Sequence, residues 1–265
     1  MKALIMARGL GTRLRQPEAG AQLDPSQRII AEQGLKSLIP VGRPLLDYAL
    51  ARLADAGFQD IGVVIGPKHT LVRQHVASLA LSRVRVRFVE QAEPKGTADA
   101  VLAGERFAAG QPFMVVNADN LYPIDVLSQV RQFTGQGLPA FAAHALVTQG
   151  NIRPERAGRF PLVRWDARKR LTELVERDGT PGPGNGADEY ISMNCWVFTA
   201  AIFPACRAVG PSPRGELEIT EAVRVAMARG EIFEVFPVSR PVLDVTSRAD
   251  VAGVAERLKD EAVNL

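Results

Sequence analysis

The chain has 265 residues, of which 46% are apolar, enough for the core of one large α/β domain or two small ones. Lysine and arginine total 32 against 29 aspartate and glutamate, and a net charge of +3 without a basic run argues against a nucleic-acid surface. No apolar stretch approaches the roughly 20 residues of a membrane span, and the apolar run after Lys2 is too short for a signal peptide. We therefore expect a cytoplasmic protein that binds neither nucleic acid nor a membrane.

Strand-like and helix-like segments alternate through the first half, which is typical of an α/β fold with a mostly parallel sheet and helices on both faces. In such a sheet the strand C-termini meet at one edge, where ligands bind. The predicted strands are Ala3–Ala7, Ile61–Ile65, Val84–Val89 and Phe113–Asn117, and the predicted helices are Pro44–Ala56, His69–Leu79 and Thr97–Ala108.

The second half predicts a smaller subregion continuous with the main sheet. Its two cysteines, Cys195 and Cys206, have no metal-ligand spacing and are predicted to be buried free thiols. Its predicted elements are a hairpin of Phe160–Trp165 and Leu171–Glu176, a Gly/Pro linker over Thr180–Gly186, strands Tyr190–Phe198 and Ile232–Val238, and helices Glu216–Ala228 and Ser247–Lys259.

An insertion over residues 16–35 separates the first strand from the next predicted helix. Asp24 as N-cap, Pro25 as the first helical residue and Gly34 after the last turn predict a short helix within it. Because it follows the glycine-rich loop directly, it is either a lid over that loop or a disordered surface loop.

The most informative segment is the glycine-rich loop at residues 8–14, which follows the first strand directly. Gly9 and Gly11 let backbone N–H groups approach an anion, and Arg13 adds a bidentate donor for phosphoryl oxygens. A P-loop would need Lys followed by Ser or Thr after the second glycine, and a dinucleotide fold would need a third glycine where Leu14 stands. The loop therefore predicts a nucleotide site of neither kind.

The loop and six further motifs resemble the sugar-1-phosphate nucleotidyltransferase family, in particular its glucose-1-phosphate thymidylyltransferase branch. Arg8, Ala157 and Arg177 depart from the residues usual in that family, and the 23 residues from Arg13 to Lys36 are more than usual. The motifs are Ala7–Leu14, Leu35–Val41, Gln91 with Gly96–Ala98, Asn117–Asn120, Pro154–Gly158 with Leu174–Arg177, Gly215–Thr220 and Leu243–Thr246.

The resemblance implies a Rossmann-like, GT-A-like mixed sheet and a role for each matching residue. Arg13 and Lys36 would be catalytic, and Asp119 and Asp244 would hold Mg²⁺ through carboxylate oxygens. The nucleotide would be bound by Ala7, Arg8, Gly9, Leu10, Gly11, Thr12, Gln91, Gly96 and Thr97, and the sugar phosphate by Asn120, Gly158, Glu176, Arg177 and Asn194.

The reaction implied is attack of a sugar 1-phosphate oxygen on the α-phosphorus of a nucleoside triphosphate, which expels pyrophosphate. The nucleophile is already anionic at pH 7, so no general base is needed, and His69, His75 and His144 are predicted to be structural. An amide such as Gln91 can pair with any base, so the nucleobase stays open. The role of Arg8, either a further phosphate ligand or a mark of an unusual substrate, stays open too.

We expect one nucleotidyltransferase domain over residues 1–265, with residues 1–135 mainly binding the nucleotide and 136–265 mainly the sugar phosphate. The partners would be small-molecule substrates, and the oligomeric state is open. Two alternatives remain: a GT-A-like glycosyltransferase that uses a nucleotide-sugar donor, and a non-catalytic regulator that binds a nucleotide or nucleotide-sugar.

Overall fold

The structure is a computed structural model that describes residues 1–177 and 189–265. Four parallel strands, with the helices that follow them, form its N-terminal part. The predicted linker over 180–186 lies outside the described residues. A short 3-10 turn covers Lys36–Leu38. The elements are β1 (Lys2–Met6), α1 (Thr12–Arg15), α2 (Pro25–Gln33), β2 (Pro40–Val41), β3 (Arg43–Pro44), α3 (Leu45–Asp55), β4 (Asp60–Ile65), α4 (Thr70–Ser78), β5 (Arg85–Glu90), α5 (Thr97–Ala103), α6 (Glu105–Ala108) and β6 (Phe113–Asn117).

Shorter strands and helices make up the C-terminal part. They are β7 (Asn120–Leu121), α7 (Ile124–Val130), β8 (Gln136–Ala142), α8 (Ala143–Thr148), α9 (Pro154–Ala157), β9 (Leu162–Trp165), β10 (Leu171–Val175), β11 (Tyr190–Ser192), β12 (Trp196–Phe198), α10 (Ile202–Ala208), α11 (Ile219–Ala228), β13 (Phe233–Val238), β14 (Leu243–Asp244) and α12 (Arg248–Leu258).

Both parts contribute to one mixed sheet in the order β10-β9-β11-β8-β12-β6-β1-β4-β5, with β13 paired in parallel to β8. β1 lies between β4 and β6 and is parallel to both. Antiparallel pairs join β12 to β6 and carry the sheet on towards β10. The predicted Rossmann-like mixed sheet is confirmed. The C-terminal ends of β1, β4, β5 and β6 consequently share one edge.

Helices cover both faces of the sheet, as predicted. Neighbouring residues of the central strands point to opposite faces, so Ile5 and Val116 pack in one apolar cluster and Leu4 and Val115 in the other. The helix α3 packs on the first face, and α10 and α11 pack on the second. Since both faces of β1 are buried, its apolar run is continuous rather than alternating.

The structure differs from the sequence prediction at several elements, and α7, α8 and α10 were not predicted. The helix predicted over 97–108 is two helices that meet at Gly104, where the chain packs so closely on Leu4 that a Cβ would overlap its side chain. The strand predicted over 190–198 is interrupted around Asn194, whose φ is 55°. Strand β8 was not predicted at all, because its central Pro139 is atypical of a paired interior strand.

The predicted helix in the insertion is confirmed as α2. Asp24 accepts a hydrogen bond from the backbone of Gln27, Pro25 opens the helix, and Gly34 ends it in the left-handed region. The insertion is anchored at its start as well, since the carboxylate of Glu18 accepts a hydrogen bond from the backbone N–H of Ala249 at 3.0 Å. Residues 25–33 of the insertion therefore form a helix. That the insertion acts as a lid stays a prediction.

The two cysteines are buried free thiols, as predicted. Burial raises the pKa of Cys206 to about 12 and that of Cys195 further still. Both therefore act as small apolar core residues. Within residues 1–177 and 189–265, no helix is both long enough and apolar enough to cross a bilayer.

Candidate active site

A cleft of about 520 Å³ opens at the edge of the sheet where β1 and β6 end. It brings together thirteen of the residues predicted for the site. It is lined by Met6, Ala7, Arg8, Gly9, Leu10, Gly11, Thr12, Arg13, Lys36, Ser37, Gln91, Pro94, Gly96, Thr97, Ala100, Asn117, Ala118, Asp119, Asn194, Arg214 and Glu216.

The glycine-rich loop forms one wall of the cleft. Gly11 has a φ of +62°, and its Cα lies so close to Gly34 that a Cβ would overlap the Gly34 carbonyl oxygen. No atom lies within 4 Å of the position that a Cβ on Gly9 would take. Gly11 is therefore required by the backbone, whereas the openness of Gly9 leaves its amide accessible to a ligand. Arg13 is exposed and lines the cleft beyond the loop.

Lys36 and Asp119 form an ion pair inside the cleft, with 2.7 Å between Nζ and Oδ2. Lys36 lies in the 3-10 turn, whose next residues Ser37 and Leu38 are buried and fix its position. Burial of the Asp119 carboxyl favours its neutral form, but the charge of Lys36 and its hydrogen bond outweigh this and lower the pKa of Asp119. The cleft thus holds an ionised carboxylate with an ammonium group beside it.

Asp244 lies behind Asp119 on a paired strand. β14 pairs with β7 so that Asp244 is opposite Asn120, whose side chain donates to Asp244 Oδ2 at 2.6 Å. The guanidinium of Arg156 binds both carboxylate oxygens, at 2.5 Å to Oδ1 and 2.6 Å to Oδ2. Burial, opposed by Arg156 and assisted by the negative charge of Asp119, raises the pKa of Asp244.

The donor set at this end of the cleft fits a magnesium ion. Asp119 lines the cleft, and Asp244 is attached to the same β7–β14 ladder, where the backbone N–H of Val245 donates to the Asp119 carbonyl at 2.9 Å. Mg²⁺ is usually bound by one or two carboxylates and completes its shell with water and substrate phosphate oxygens. Lys36 and Arg156 now neutralise the two carboxylates. Among the described residues no group of three or more His, Cys, Asp or Glu could hold a metal.

Gln91 follows β5 and is almost fully buried at the cleft wall. Its Nε2 donates to Asp99 Oδ2 at 2.7 Å and to the Gly96 carbonyl at 3.1 Å. Both N–H groups of the amide are therefore occupied, so only Oε1 is left for a ligand. This orientation, which the sequence left open, makes Gln91 a hydrogen-bond acceptor.

Five predicted residues lie outside the lining of the cleft. Asp244 and Asn120 are buried behind it, and Gly158 ends α9. Glu176 pairs with Arg224 at 3.0 Å, and Arg177 pairs with Glu189 at 2.9 Å. The roles of Asn120, Gly158, Glu176 and Arg177 in sugar binding stay predictions.

The sequence did not single out Arg214 or Arg156. Arg214 lines the cleft and pairs with Glu218 at 2.8 Å, directly before the segment Gly215–Thr220 that carried part of the resemblance. Arg156 lies within the motif Pro154–Gly158. The partner of Arg214 is local, four residues on, whereas the partner of Arg156, Asp244, is set by tertiary packing.

The comparisons with known proteins decide the family. The family model described as nucleotidyl transferase matches residues 2–240. The chain belongs to the nucleotidyl transferase family. Enzymes of this family generally use a divalent metal, in agreement with the carboxylate pair at the cleft.

Two curated relatives and one solved structure are similar to this nucleotidyl transferase. UTP–glucose-1-phosphate uridylyltransferase AglF of Haloferax volcanii is 28% identical over 98% of both chains. Glucose-1-phosphate thymidylyltransferase of Streptomyces antibioticus is 31% identical over 87% of this chain, which spans 58% of that relative. The crystal structure of a UDP-glucose pyrophosphorylase complexed with UDP-glucose matches the fold with a TM-score of 0.72 at 20% identity, covering 98% of this chain and 99% of that one.

The two loop glycines should respond differently to alanine. Gly11→Ala should lower the free energy of unfolding by more than about 2 kcal/mol, because the left-handed φ and the overlap with Gly34 both penalise a Cβ. Gly9→Ala, the matched control, should stay within about 0.5 kcal/mol. Urea denaturation followed by circular dichroism measures both, and equal losses would contradict the described approach of Gly11 to Gly34.

Removing Arg156 should destabilise the nucleotidyl transferase. Arg156→Met leaves the buried Asp244 carboxylate without its cation, and we expect a loss of about 3 kcal/mol at pH 8. Without Arg156 the pKa of Asp244 rises further above its unfolded value, so the penalty is present at pH 8 and has largely faded at pH 4, where the folded-state carboxyl is protonated and the unfolded one is about half protonated.

The control for this prediction is Arg153→Met, which breaks the exposed pair with Glu18 and should cost less than about 1 kcal/mol. Urea melts at pH 4 and pH 8 measure both variants, and Asp244→Asn combined with Arg156→Met should restore part of the loss. A loss for Arg156→Met that is independent of pH would refute the role of the ion pair.

Proposed function

We propose that this nucleotidyl transferase transfers a nucleoside monophosphate from a nucleoside triphosphate to a sugar 1-phosphate, giving a nucleotide-sugar and pyrophosphate, with Mg²⁺. The observation that carries the proposal is the Lys36–Asp119 pair beside the glycine-rich loop and Arg13, all in one cleft. A triphosphate needs backbone N–H donors and cations, and a metal needs carboxylate oxygens. The cleft offers these groups side by side.

The reaction needs positioning and charge neutralisation more than proton transfer. A sugar phosphate oxygen attacks the α-phosphorus, a new P–O bond forms, and the bond to the bridging oxygen of the β-phosphate breaks, so that pyrophosphate leaves with the electron pair. Arg13 would hold the β- and γ-phosphates, and Lys36 would hold the α-phosphate or the attacking phosphate.

Asp119 and Asp244 would hold Mg²⁺ through carboxylate oxygens, and the ion would supply positive charge against the phosphates. Arg214 lines the same cleft and adds a further cation for the phosphates. Because Asp244 is held by Arg156, its carboxylate is preorganised next to Asp119 even before a metal binds.

The sugar phosphate is proposed to bind towards the C-terminal half, over residues 136–265. Asn194 reaches the cleft lining in a left-handed conformation, and of the proposed sugar contacts it is the one that lines the cleft together with the nucleotide residues. Glucose 1-phosphate is the proposed acceptor, since the printed names of both curated relatives include it. We further propose that the chain is a single domain, that residues 16–35 act as a lid, and that the protein is cytoplasmic. The oligomeric state stays open.

The proposed nucleotide is UTP or dTTP. Because both N–H groups of Gln91 are occupied, the amide offers only an acceptor, which suits the imide N–H of uracil, thymine or guanine, while adenine and cytosine could offer it only an exocyclic amino N–H. The relatives named for UTP and for thymidylyl transfer support the two pyrimidines.

Pyrophosphate release should reveal the activity. With Mg²⁺ and glucose 1-phosphate, UTP or dTTP should be turned over at least tenfold faster than ATP or CTP, and chelation of the metal should stop the reaction. A coupled pyrophosphate assay over five triphosphates and a panel of sugar 1-phosphates measures this. Turnover of a nucleotide-sugar donor alone would favour a glycosyltransferase, and binding without any turnover would favour a regulator.

Asp119→Asn should reduce kcat by at least about 100-fold while the protein stays folded, because the amide lacks the charge that binds the metal. Asp125→Asn is the matched control. Asp125 lies in α7, outside the cleft lining, and pairs with the exposed Arg240 at 3.4 Å. It should leave kcat unchanged. Retention of kcat in Asp119→Asn would refute the proposed metal role.

A further inference from the structure

The glycine-rich loop is fastened by a side chain from the last helix of the chain. The loop runs into the short helix α1, which ends with Leu14 and Arg15. The guanidinium of Arg248, at the start of α12, donates to the backbone carbonyls of both residues, from Nε to Leu14 at 2.9 Å and from Nη2 to Arg15 at 3.0 Å. Because a guanidinium is a rigid fork, two such bonds fix the direction of α1 as well as its distance from α12.

A third hydrogen bond joins the same two segments. Oε2 of Glu18, three residues after α1, accepts from the backbone N–H of Ala249 at 3.0 Å. This hydrogen bond, opposed by burial, lowers the pKa of Glu18, so its carboxylate is ionised at neutral pH. We refer to the bonds from Arg248 and Ala249 to residues 14–18 as the α1–α12 contact.

The helix α1 is too short to hold itself in place. It has four residues, and only Leu14 among them is buried. A single helical turn is unstable in isolation, because one turn fixes several backbone angles for few hydrogen bonds. Within the described ranges, the carbonyls of Leu14 and Arg15 have no hydrogen-bond donor other than Arg248. The α1–α12 contact therefore satisfies the end of α1.

The helix α12 is a firm support for this contact. Asp250 accepts from the backbone N–H of Ser247 at 2.7 Å and caps the helix, and it lies 3.8 Å from the Arg156 guanidinium that binds Asp244. Asp244 precedes Arg248 by only four residues. The buried residues of α12 are Val251, Val254 and Leu258. The contact thus connects the glycine-rich loop to the segment that carries the second candidate metal ligand.

Arg13 is the side chain whose placement depends on α1. It is exposed, lines the first cleft, and has no hydrogen-bond or ion-pair partner in the part of the chain that the structure describes. Its direction is consequently set by the backbone of α1 and not by side-chain bonds. Arg248 does not line the cleft. It can act on a ligand there only through α1.

We propose that Arg248 is a positioning residue that holds α1 in place, so that Arg13 meets the phosphate chain of the triphosphate already ordered. This rests on the proposed function in one respect, namely that the phosphate chain binds at Arg13. A loop that is ordered before binding does not lose affinity to the entropy of its own ordering. The nucleotidyl transferase model ends at residue 240, so α12 lies outside the part of the chain that defines the family.

Hydrogen exchange tests the contact in the free protein. The N–H groups of Arg15 and Gln16 close the turn of α1 at 3.0 and 3.3 Å, and their exchange reports its opening. Arg248→Met keeps an apolar stem and removes every donor, and it should speed this exchange at least about tenfold, as expected for the loss of hydrogen bonds from a charged group. Arg257→Met is the matched control, because Arg257 lies on the same helix and donates to the Gly150 carbonyl at 3.0 Å. It should leave the exchange unchanged.

Binding of inorganic triphosphate tests the consequence for Arg13. In isothermal titration calorimetry, Arg248→Met should weaken the binding at least about fivefold, and Arg257→Met less than about twofold. Arg248→Lys, which keeps the charge and one donor group, should recover part of the loss. In an Arg13→Ala background, Arg248→Met should have less than about a twofold further effect, because the group that it positions is gone.

The proposed function and the role of Arg248 fail on different results. Absence of pyrophosphate release in the wild type with every triphosphate would refute the proposed function, while exchange and triphosphate binding would still decide the role of Arg248. Unchanged exchange in Arg248→Met would refute that role even in an active enzyme. An equal loss of triphosphate affinity with and without Arg13 would refute it too, since Arg248 would then act independently of Arg13.

Discussion

The pairing of β1 between β4 and β6 is the constraint on which the rest of the molecule depends. Both faces of β1 are buried, so Ala3, Leu4 and Ile5 are removed from water, and the strand has no freedom to shift its register. That register ends β1 next to β6, where the backbone N–H of Ala118 donates to the Met6 carbonyl at 3.1 Å. The glycine-rich loop, which follows β1, and Asp119, which follows β6, consequently lie side by side.

Charge balance organises the candidate site that forms there. Two aspartates, Asp119 and Asp244, are held close together on the β7–β14 ladder, and each is matched by one cation. An isolated carboxylate would be costly at that depth, and two neighbouring ones more so. Lys36 and Arg156 offset the negative charge of the two carboxylates without a metal. The proposed Mg²⁺ would add positive charge there when the substrates bind.

The same edge of the sheet carries two clefts of different character. The first combines backbone amides, cations and carboxylates, which suits a nucleotide with a metal. The second, of about 440 Å³, is lined by Arg8, Arg15, Lys68 and His69 and by no carboxylate. Arg8 lines both clefts; its guanidinium packs against Gly66 and donates to the Gln91 carbonyl.

The sequence by itself determined the order of the N-terminal strands, the cap residues of α2 and the segments that would meet at the edge of the sheet. These follow from local properties: apolar run length, and the backbone preferences of Asp24, Pro25 and Gly34. It did not predict β8, because its pairing overrides the local preference of Pro139. The tertiary structure alone decided the partner of Arg156, the orientation of the Gln91 amide and the second cleft at Lys68. Arg156 and Asp244 are 88 residues apart, and the second cleft joins residues from 8 to 92, so only packing brings these groups together. Gln91 is close in sequence to Gly96 and Asp99, but the fold of the segment between β5 and α5 decides that its amide nitrogen faces them.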